Sequence, residues 1–214
     1  VALLKSGMAE RVLVGGAEAP LTPFTLAQMN RLGIYASETR TEYPCRPLAT
    51  SPTGMVLGEG AAFIALSGEL SSFRQGRITG VGFSQEAAPS VTGITVTGQA
   101  LQRAMQRANE NRAVPDLILA HAPGTSRGDA AEIRAVRQVF PDRNVPLHSL
   151  KWATGHTFGA SGPLALVAGL DILTQNTVPP LPYPTIYSQP TRLASILVNA
   201  TGFGGNAVSV RLEV

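Results

Sequence analysis

The sequence predicts a layered α/β fold, a sheet covered by helices. Three observations carry this. From residue 77 onward, strand-like and helix-like segments alternate before two closing strands, the order that builds sheet-and-helix layers. The strand-like runs are short, apolar and closed by glycine turns. Only 14% of the 214 residues are charged and 44% are hydrophobic, whereas about a quarter of an ordinary domain is charged. The chain is therefore expected to be mostly buried, with extensive interfaces or, alternatively, a core rich in small residues and no large interface.

The elements follow in order. Val1 to Ser6 reads as the tail of a helix with Gly7 just beyond its end and no N-cap before it, so a preceding segment is expected. Arg11 to Ala17 is a short apolar strand ending in glycines. Thr22 to Ser37 is loosely helical, and Thr39 to Pro52 is a polar loop. Gly58 to Leu66 reads as a continuous buried strand. Arg77 to Glu86 alternates as a further strand. In Thr97 to Asn109, the residues Ala100, Leu101, Ala104, Met105 and Ala108 share one helical face. Asp116 to His121 is a strand that delivers His121 to its end. Asp129 and Glu132 have capping-box spacing, opening a helix to Phe140. Val145 to Leu150 is a strand, Gly159 to Gln175 a buried helix of small and apolar residues, and Asn176 to Pro190 a proline-rich loop. Ile196–Asn199 and Ala207–Val214 are strands flanking a glycine turn, a hairpin.

Composition narrows the function. The net charge of +3 is slight, and its arginines are scattered without interleaved aromatics, which argues against nucleic-acid binding. One cysteine excludes an internal disulfide framework and a cysteine zinc site and fits a reducing, cytoplasmic setting. No apolar run reaches the 18 residues of a membrane span, no signal peptide is visible, and no phosphate-binding glycine loop is present.

Two histidines in glycine-rich turns are the chemical signal. His121 opens His-Ala-Pro-Gly-Thr-Ser-Arg-Gly-Asp, and His156 lies in Lys-Trp-Ala-Thr-Gly-His-Thr-Phe-Gly-Ala-Ser-Gly. Imidazoles just beyond buried strands can donate to an oxyanion or enolate without a metal. A helix N-terminus after His156 disfavours its imidazolium. Either ring, taken alone, can equally be a hydrogen-bonded core histidine. Lys151 is placed to neutralise Glu132, to act electrostatically, or to serve as a surface or capping lysine. Glu132 and Asp129 have a structural explanation as the capping box. The Phe203 N–H, between Gly202 and Gly204, can approach a carbonyl oxygen closely, or the turn is an ordinary hairpin with one aromatic anchor. Cys45, between prolines, has nothing to lower its pKa and is a poor nucleophile. His148 reads as surface or structural, and Arg127, Arg134 and Arg137 as a solvated helix face or a patch at a pocket mouth. With no convincing nucleophile, the residues read as half of an active site.

Together these motifs resemble the C-terminal portion of the β-ketoacyl synthases, the condensing enzymes of fatty-acid and polyketide assembly. The family pattern His-Gly-Thr-Gly-Thr-x-x-Gly-Asp-x-x-Glu is similar to His121–Glu132, Lys-Ser-x-x-Gly-His-x-x-Gly-Ala-x-Gly to Lys151–Gly162, and Gly-Phe-Gly-Gly to Gly202–Gly205. The resemblance implies a thiolase-like layered fold, incomplete here: residues 1–76 as the end of the N-terminal half and 77–214 as the whole C-terminal half. It implies a decarboxylating Claisen condensation between a cysteine-bound acyl group and malonyl on acyl carrier protein, with the cysteine before Val1 and this segment inactive without it. His121 and His156 then stabilise the enolate, and Lys151 pairs with Glu132. The Phe203 N–H, flanked by Gly202 and Gly204, gives half of an oxyanion hole, and Thr125 holds the pantetheine arm. No cofactor is implied, since phosphopantetheine arrives with the carrier protein. The expected partners are acyl carrier protein, a missing N-terminal segment or companion chain, and a second subunit in a homodimer or a ketosynthase/chain-length-factor heterodimer. Four departures mark a divergent branch: Ala122-Pro123 replaces Gly-Thr, Thr201 replaces a phenylalanine, the turn reaches Asn206 one residue early, and Pro47–Gly54 lacks charges. They leave open a non-catalytic chain-length-factor-like partner. A thiolase requires a second reactive cysteine in the last glycine turn, and none is there.

Overall fold

The computed structural model describes residues 1–36, 42–68, 75–87, 93–185 and 187–214. In chain order the elements are α1 (Ala2–Lys5), β1 (Arg11–Glu18), α2 (Pro23–Arg31), β2 (Gly60–Ser67), β3 (Arg77–Gln85), α3 (Gln99–Ala108) and β4 (Leu117–Leu119). Then follow α4 (Ser126–Val139), β5 (Leu147–His148), α5 (Lys151–Thr154), a 3₁₀ turn (Phe158–Ala160), α6 (Ser161–Gln175), β6 (Ser195–Gly202) and β7 (Asn206–Glu213). β1 and β2 pair antiparallel, and the other strands form a five-stranded mixed sheet in the order β3-β7-β6-β4-β5. β4 runs parallel to β5 and β6, and β7 is antiparallel to β6 and β3.

Side-chain alternation divides the core between the two faces of this sheet. Ile118 and Leu197 pack with Leu101 and Met105 of α3 and Val136 of α4. Leu117, Leu119, Ile196 and Val198 pack with Ile172 and Leu173 of α6. The five residues assigned to the inner face of α3 are its buried residues. α6 touches β6 on one side and β1 and β2 on the other. Lying between two sheets, it buries Gly169, Ile172 and Leu173 but leaves Val167, Asp171, Thr174 and Gln175 exposed, so it is less buried than its small and apolar sequence predicts. Among the described residues no helix is long and apolar enough to cross a membrane.

Close approach of α3 to β3 rests on glycine. A Cβ on Gly82 falls 1.9 Å from the Ala104 carbonyl oxygen. Glu86 donates its N–H to Gly205 across the sheet, so from Gly80 onward even positions of β3 face β7 and odd positions face the free edge, the register shifting between Ile78 and Gly80. Three carbonyls of β3 are taken by arginines from α3 and its end: Arg103 donates to Gln85 at 2.7 Å, Arg107 to Phe83, and Arg112 to Thr79 at 2.5 Å. Four helical residues rise about 6 Å and two strand residues about 6.7 Å, so arginines at 103 and 107 match carbonyls at 85 and 83.

The structure corrects several sequence expectations. β2 is not a continuous buried strand: only Ala62 is buried, and Phe63 is exposed, because α6 covers one face of the β1–β2 pair. α4 starts three residues before Asp129. Its N-cap is Thr125, whose hydroxyl accepts the Gly128 N–H at 3.3 Å, which frees Asp129 and Glu132 from capping. β5 is reduced to two residues. Of the predicted loop Thr39–Pro52, residues 39–41 lie outside the described residues, as does Ser37 of the preceding helical segment. The proline-rich segment is tied to that loop by Tyr183, whose hydroxyl donates to the Pro47 carbonyl at 3.0 Å.

Gly82→Ala is expected to destabilise the fold by about 1–3 kcal/mol, the usual range for overpacking, whereas Val81→Thr, at an exposed position of the same strand, should stay within about 0.5 kcal/mol. Urea denaturation of the two variants checks this.

Candidate active site

His121 and His156 meet at the ends of separate elements, with ring centroids 5.1 Å apart and edge to face. His121 follows β4. His156 follows the short α5 and is held by its backbone: its N–H donates to Val56 at 2.7 Å, and its carbonyl accepts the Gly58 N–H at 3.2 Å. Gly155 makes this seat possible. Its φ is +67, and a Cβ there comes within 2.8 Å of Leu57 and Gly58.

Each ring is fixed as one tautomer. His121 Nδ1 accepts the Thr201 N–H at 3.3 Å, and His156 Nδ1 accepts the Phe158 N–H at 3.0 Å. A backbone N–H cannot accept, so both Nδ1 atoms are unprotonated and each neutral ring carries its proton on Nε2. Burial, followed by the nearby Lys151 charge, pushes the His121 pKa well below its ordinary value and that of His156 down to about 3. Two neutral N–H donors are the result.

Beneath His121 lies a buried charged cluster. Glu132 accepts the His121 N–H at 3.0 Å on Oε1 and the Ala122 N–H at 2.7 Å on Oε2. Lys151 Nζ donates to the His121 carbonyl oxygen. The two charges therefore act across the His121 peptide, and each favours the other's ionised form. Burial still dominates, raising Glu132 and lowering Lys151 to about 8. Asp129 accepts from the Leu48 N–H at 2.9 Å and the Gly124 N–H at 3.0 Å, clasping two loops together; burial pushes its pKa up to about 7.

The remaining sequence candidates fall as follows. Phe203 sits in the β6–β7 turn, half-exposed, its ring 6.4 Å from that of Phe158, which in turn lies 5.3 Å from His156. Gly204 has φ +85, and a Cβ on Gly202 falls 2.7 Å from Asn206 Oδ1. Thr125 stands at the start of α4 as its cap. Cys45 is buried with its thiol donating to the Pro123 carbonyl at 3.5 Å, and burial raises its pKa to about 11, which suits an inert thiol. His148 is buried, not on the surface, and contacts the Pro179 carbonyl oxygen at 2.9 Å. Arg127, Arg134 and Arg137 are exposed, on the solvated face of α4.

Sequence reading missed three contributors. Asn199 donates to Glu132 at 3.0 Å; a lone amide inside the otherwise apolar run Ile196–Ala200 was its signal. Phe158 holds φ +41, a strained backbone for a bulky residue, of the kind that clusters at functional sites. Thr201 acts through its backbone N–H, so the side chain at that position does not affect the bond.

Residues 75–183 match the family described as "Beta-ketoacyl synthase, C-terminal domain", and residues 1–71 match "Beta-ketoacyl synthase, N-terminal domain". "Nodulation protein E" of Rhizobium meliloti is 30% identical over 188 residues, covering 83% of this chain and 45% of that protein. "3-oxoacyl-[acyl-carrier-protein] synthase 2" of Staphylococcus aureus is 28% identical over 97% of this chain and 56% of its own length. A beta-ketoacyl synthase from Burkholderia phymatum superimposes with a TM-score of 0.82 at 28% identity, over 99% of this chain and 56% of that one. The chain thus spans about half the length of the curated relatives it matches.

The His156 ring sets an acid limit on stability. Between about pH 3 and the ordinary 6.5 the unfolded ring is protonated and the folded ring is not, so stability rises with pH across this window and is lost as pH falls. His156→Gln is expected to flatten that slope relative to the unsubstituted protein, measured as unfolding free energy against pH.

Proposed function

Because this chain belongs to the β-ketoacyl synthase family, we propose that the protein carrying it performs a decarboxylating Claisen condensation of an acyl thioester with malonyl-acyl carrier protein. The observation that carries this is the pair of neutral imidazoles, 5.1 Å apart, each with its Nδ1 occupied by a backbone N–H. Both Nε2–H groups remain for one thioester oxygen.

Malonyl loses its carboxylate as CO₂, and the C–C bonding pair moves into the enolate. Its oxygen is held by the two Nε2–H donors, which need no metal to stabilise the charge. The enolate carbon then attacks the acyl thioester, and the cysteine thiolate leaves. Lys151 adds positive potential close to the enolate, and Glu132 keeps the His121 backbone in place. The Phe203 N–H serves one side of the acyl oxyanion, and Gly202 and Gly204 give it room. Thr125 contacts the pantetheine arm. The nucleophile is assigned to the part of the family's length that lies before Val1, since Cys45 is buried and weakly acidic. Residues 1–76 and 77–214 are assigned to the two halves of the fold, and the setting is cytoplasmic.

Acyl carrier protein is the proposed substrate carrier, and the second subunit is an identical chain or a chain-length factor. Similar folds support both: chains from two solved complexes, a type II PKS acyl-carrier protein "in complex with its ketosynthase" and a ketosynthase "in Complex with its Chain Length Factor" from Xenorhabdus doucetiae, superimpose with TM-scores of 0.85 and 0.83. A non-catalytic role is disfavoured by the retention of His121, His156 and Lys151 with their hydrogen bonds.

In the full-length protein, His121→Ala and His156→Ala should each lower CO₂ release from malonyl-acyl carrier protein by about 10²–10³-fold, the usual cost of losing one oxyanion donor. Release that is absent from the unsubstituted protein, or unchanged in both variants, refutes the proposal.

A further inference from the structure

Glu132 is buried to 2% exposure and surrounded by donors. Its Oε1 serves both the His121 N–H and the Asn199 amide, each at 3.0 Å. Oε2 serves the Ala122 N–H at 2.7 Å. All three bonds need lone pairs. A proton on either oxygen leaves a buried backbone N–H competing with it and loosens the hold on the His121 peptide.

Burial favours that proton, and the donors oppose it. The titratable or charged groups acting on Glu132 are Lys151 from α5, Asp129 on its own helix and Tyr187 from the proline-rich segment, while His121 after β4 acts through its backbone N–H. From β6, β7 and α3 the contributors are neutral: Asn199, Ser209 and Met105.

Asn199 is oriented for donation. It faces Ser209 across the β6–β7 ladder, and the Ser209 hydroxyl donates to its Oδ1 at 2.7 Å. Met105 Sδ lies 3.4 Å from the amide nitrogen. A flipped amide turns Oδ1 onto the carboxylate, which is repulsive, and leaves its NH₂ facing the serine. Ser209 is fully buried, so its hydroxyl has no water to turn to.

We propose that Asn199, with its amide oriented by Ser209, is a positioning residue that holds Glu132 as the carboxylate acceptor of the His121 and Ala122 amides. This deepens the ketosynthase reading and rests on it for its catalytic consequence. The effect passes from β7 to β6 to α4 to the His121 backbone, without contact between Asn199 and substrate.

The test uses the full-length protein with Asn199→Leu and Ser209→Ala. Infrared spectra against pH, with Glu132→Gln as the reference, follow the protonation of Glu132 directly. Loss of a hydrogen bond to a charged group is expected to move its midpoint upward by about one pH unit, less for Ser209→Ala than for Asn199→Leu. The acid limb of CO₂ release should move with it: kcat falls on the acid side of the profile, KM stays within about twofold, and the rate recovers as pH rises. A midpoint that stays in place in both variants, or a rate loss uniform across pH, overturns the inference. Should Asn199→Leu fail to fold, the smaller Ser209→Ala decides alone. Infrared titration needs no turnover, so a protein without decarboxylase activity defeats the ketosynthase reading while Glu132 still reports on Asn199.

Discussion

One peptide group organises this molecule. The His121 N–H is held by a buried carboxylate and its carbonyl by a buried ammonium, on which the buried Asp129 carboxylate also acts. Removing either strips the other of its nearest opposite charge in a low-dielectric interior, which is costlier than losing a surface pair. The geometry of everything nearby follows from this clasp. β4 must end at Leu119, α4 must bring Glu132 back under the turn, and β5 must hand the chain to Lys151. The imidazole is then the one part of His121 left to face outward.

The same cluster explains why both rings are neutral. A cation close by and scarce water act in the same direction, so the histidines are held as donors far below the pH at which a free imidazole gains charge. Backbone amides choose the tautomer. The devices that fix the tautomers, the Thr201 and Phe158 N–H groups, are therefore main-chain atoms, insensitive to the side chain at those positions. That is why a threonine where the family carries a phenylalanine leaves the His121 contact intact.

Much of this was legible in the sequence. The glycine-bounded histidines, the buried face of α3 and the closing hairpin all follow from local pattern, because periodicity and turn chemistry depend on near neighbours. What escaped was set by distant contacts. Asp129 and Glu132 have capping-box spacing, yet Thr125 takes the cap and the carboxylates go to Leu48, Gly124, His121 and Ala122. Local pattern cannot tell an acid that caps its own helix from one that binds another loop. β2 reads as buried because its residues are apolar, but an apolar strand is covered only where something lies on it. Asn199 was visible as an oddity in a hydrophobic run, and its role needed the fold.

The three guanidinium groups laid along β3 have a consequence for assembly. A sheet margin recruits another strand by offering alternating donors and acceptors. Here the acceptors at Gln85, Phe83 and Thr79 are already engaged, and the groups engaging them are bulky and cationic. A strand adding on this side must first displace those guanidinium groups, so lateral growth of the five-stranded sheet is disfavoured there.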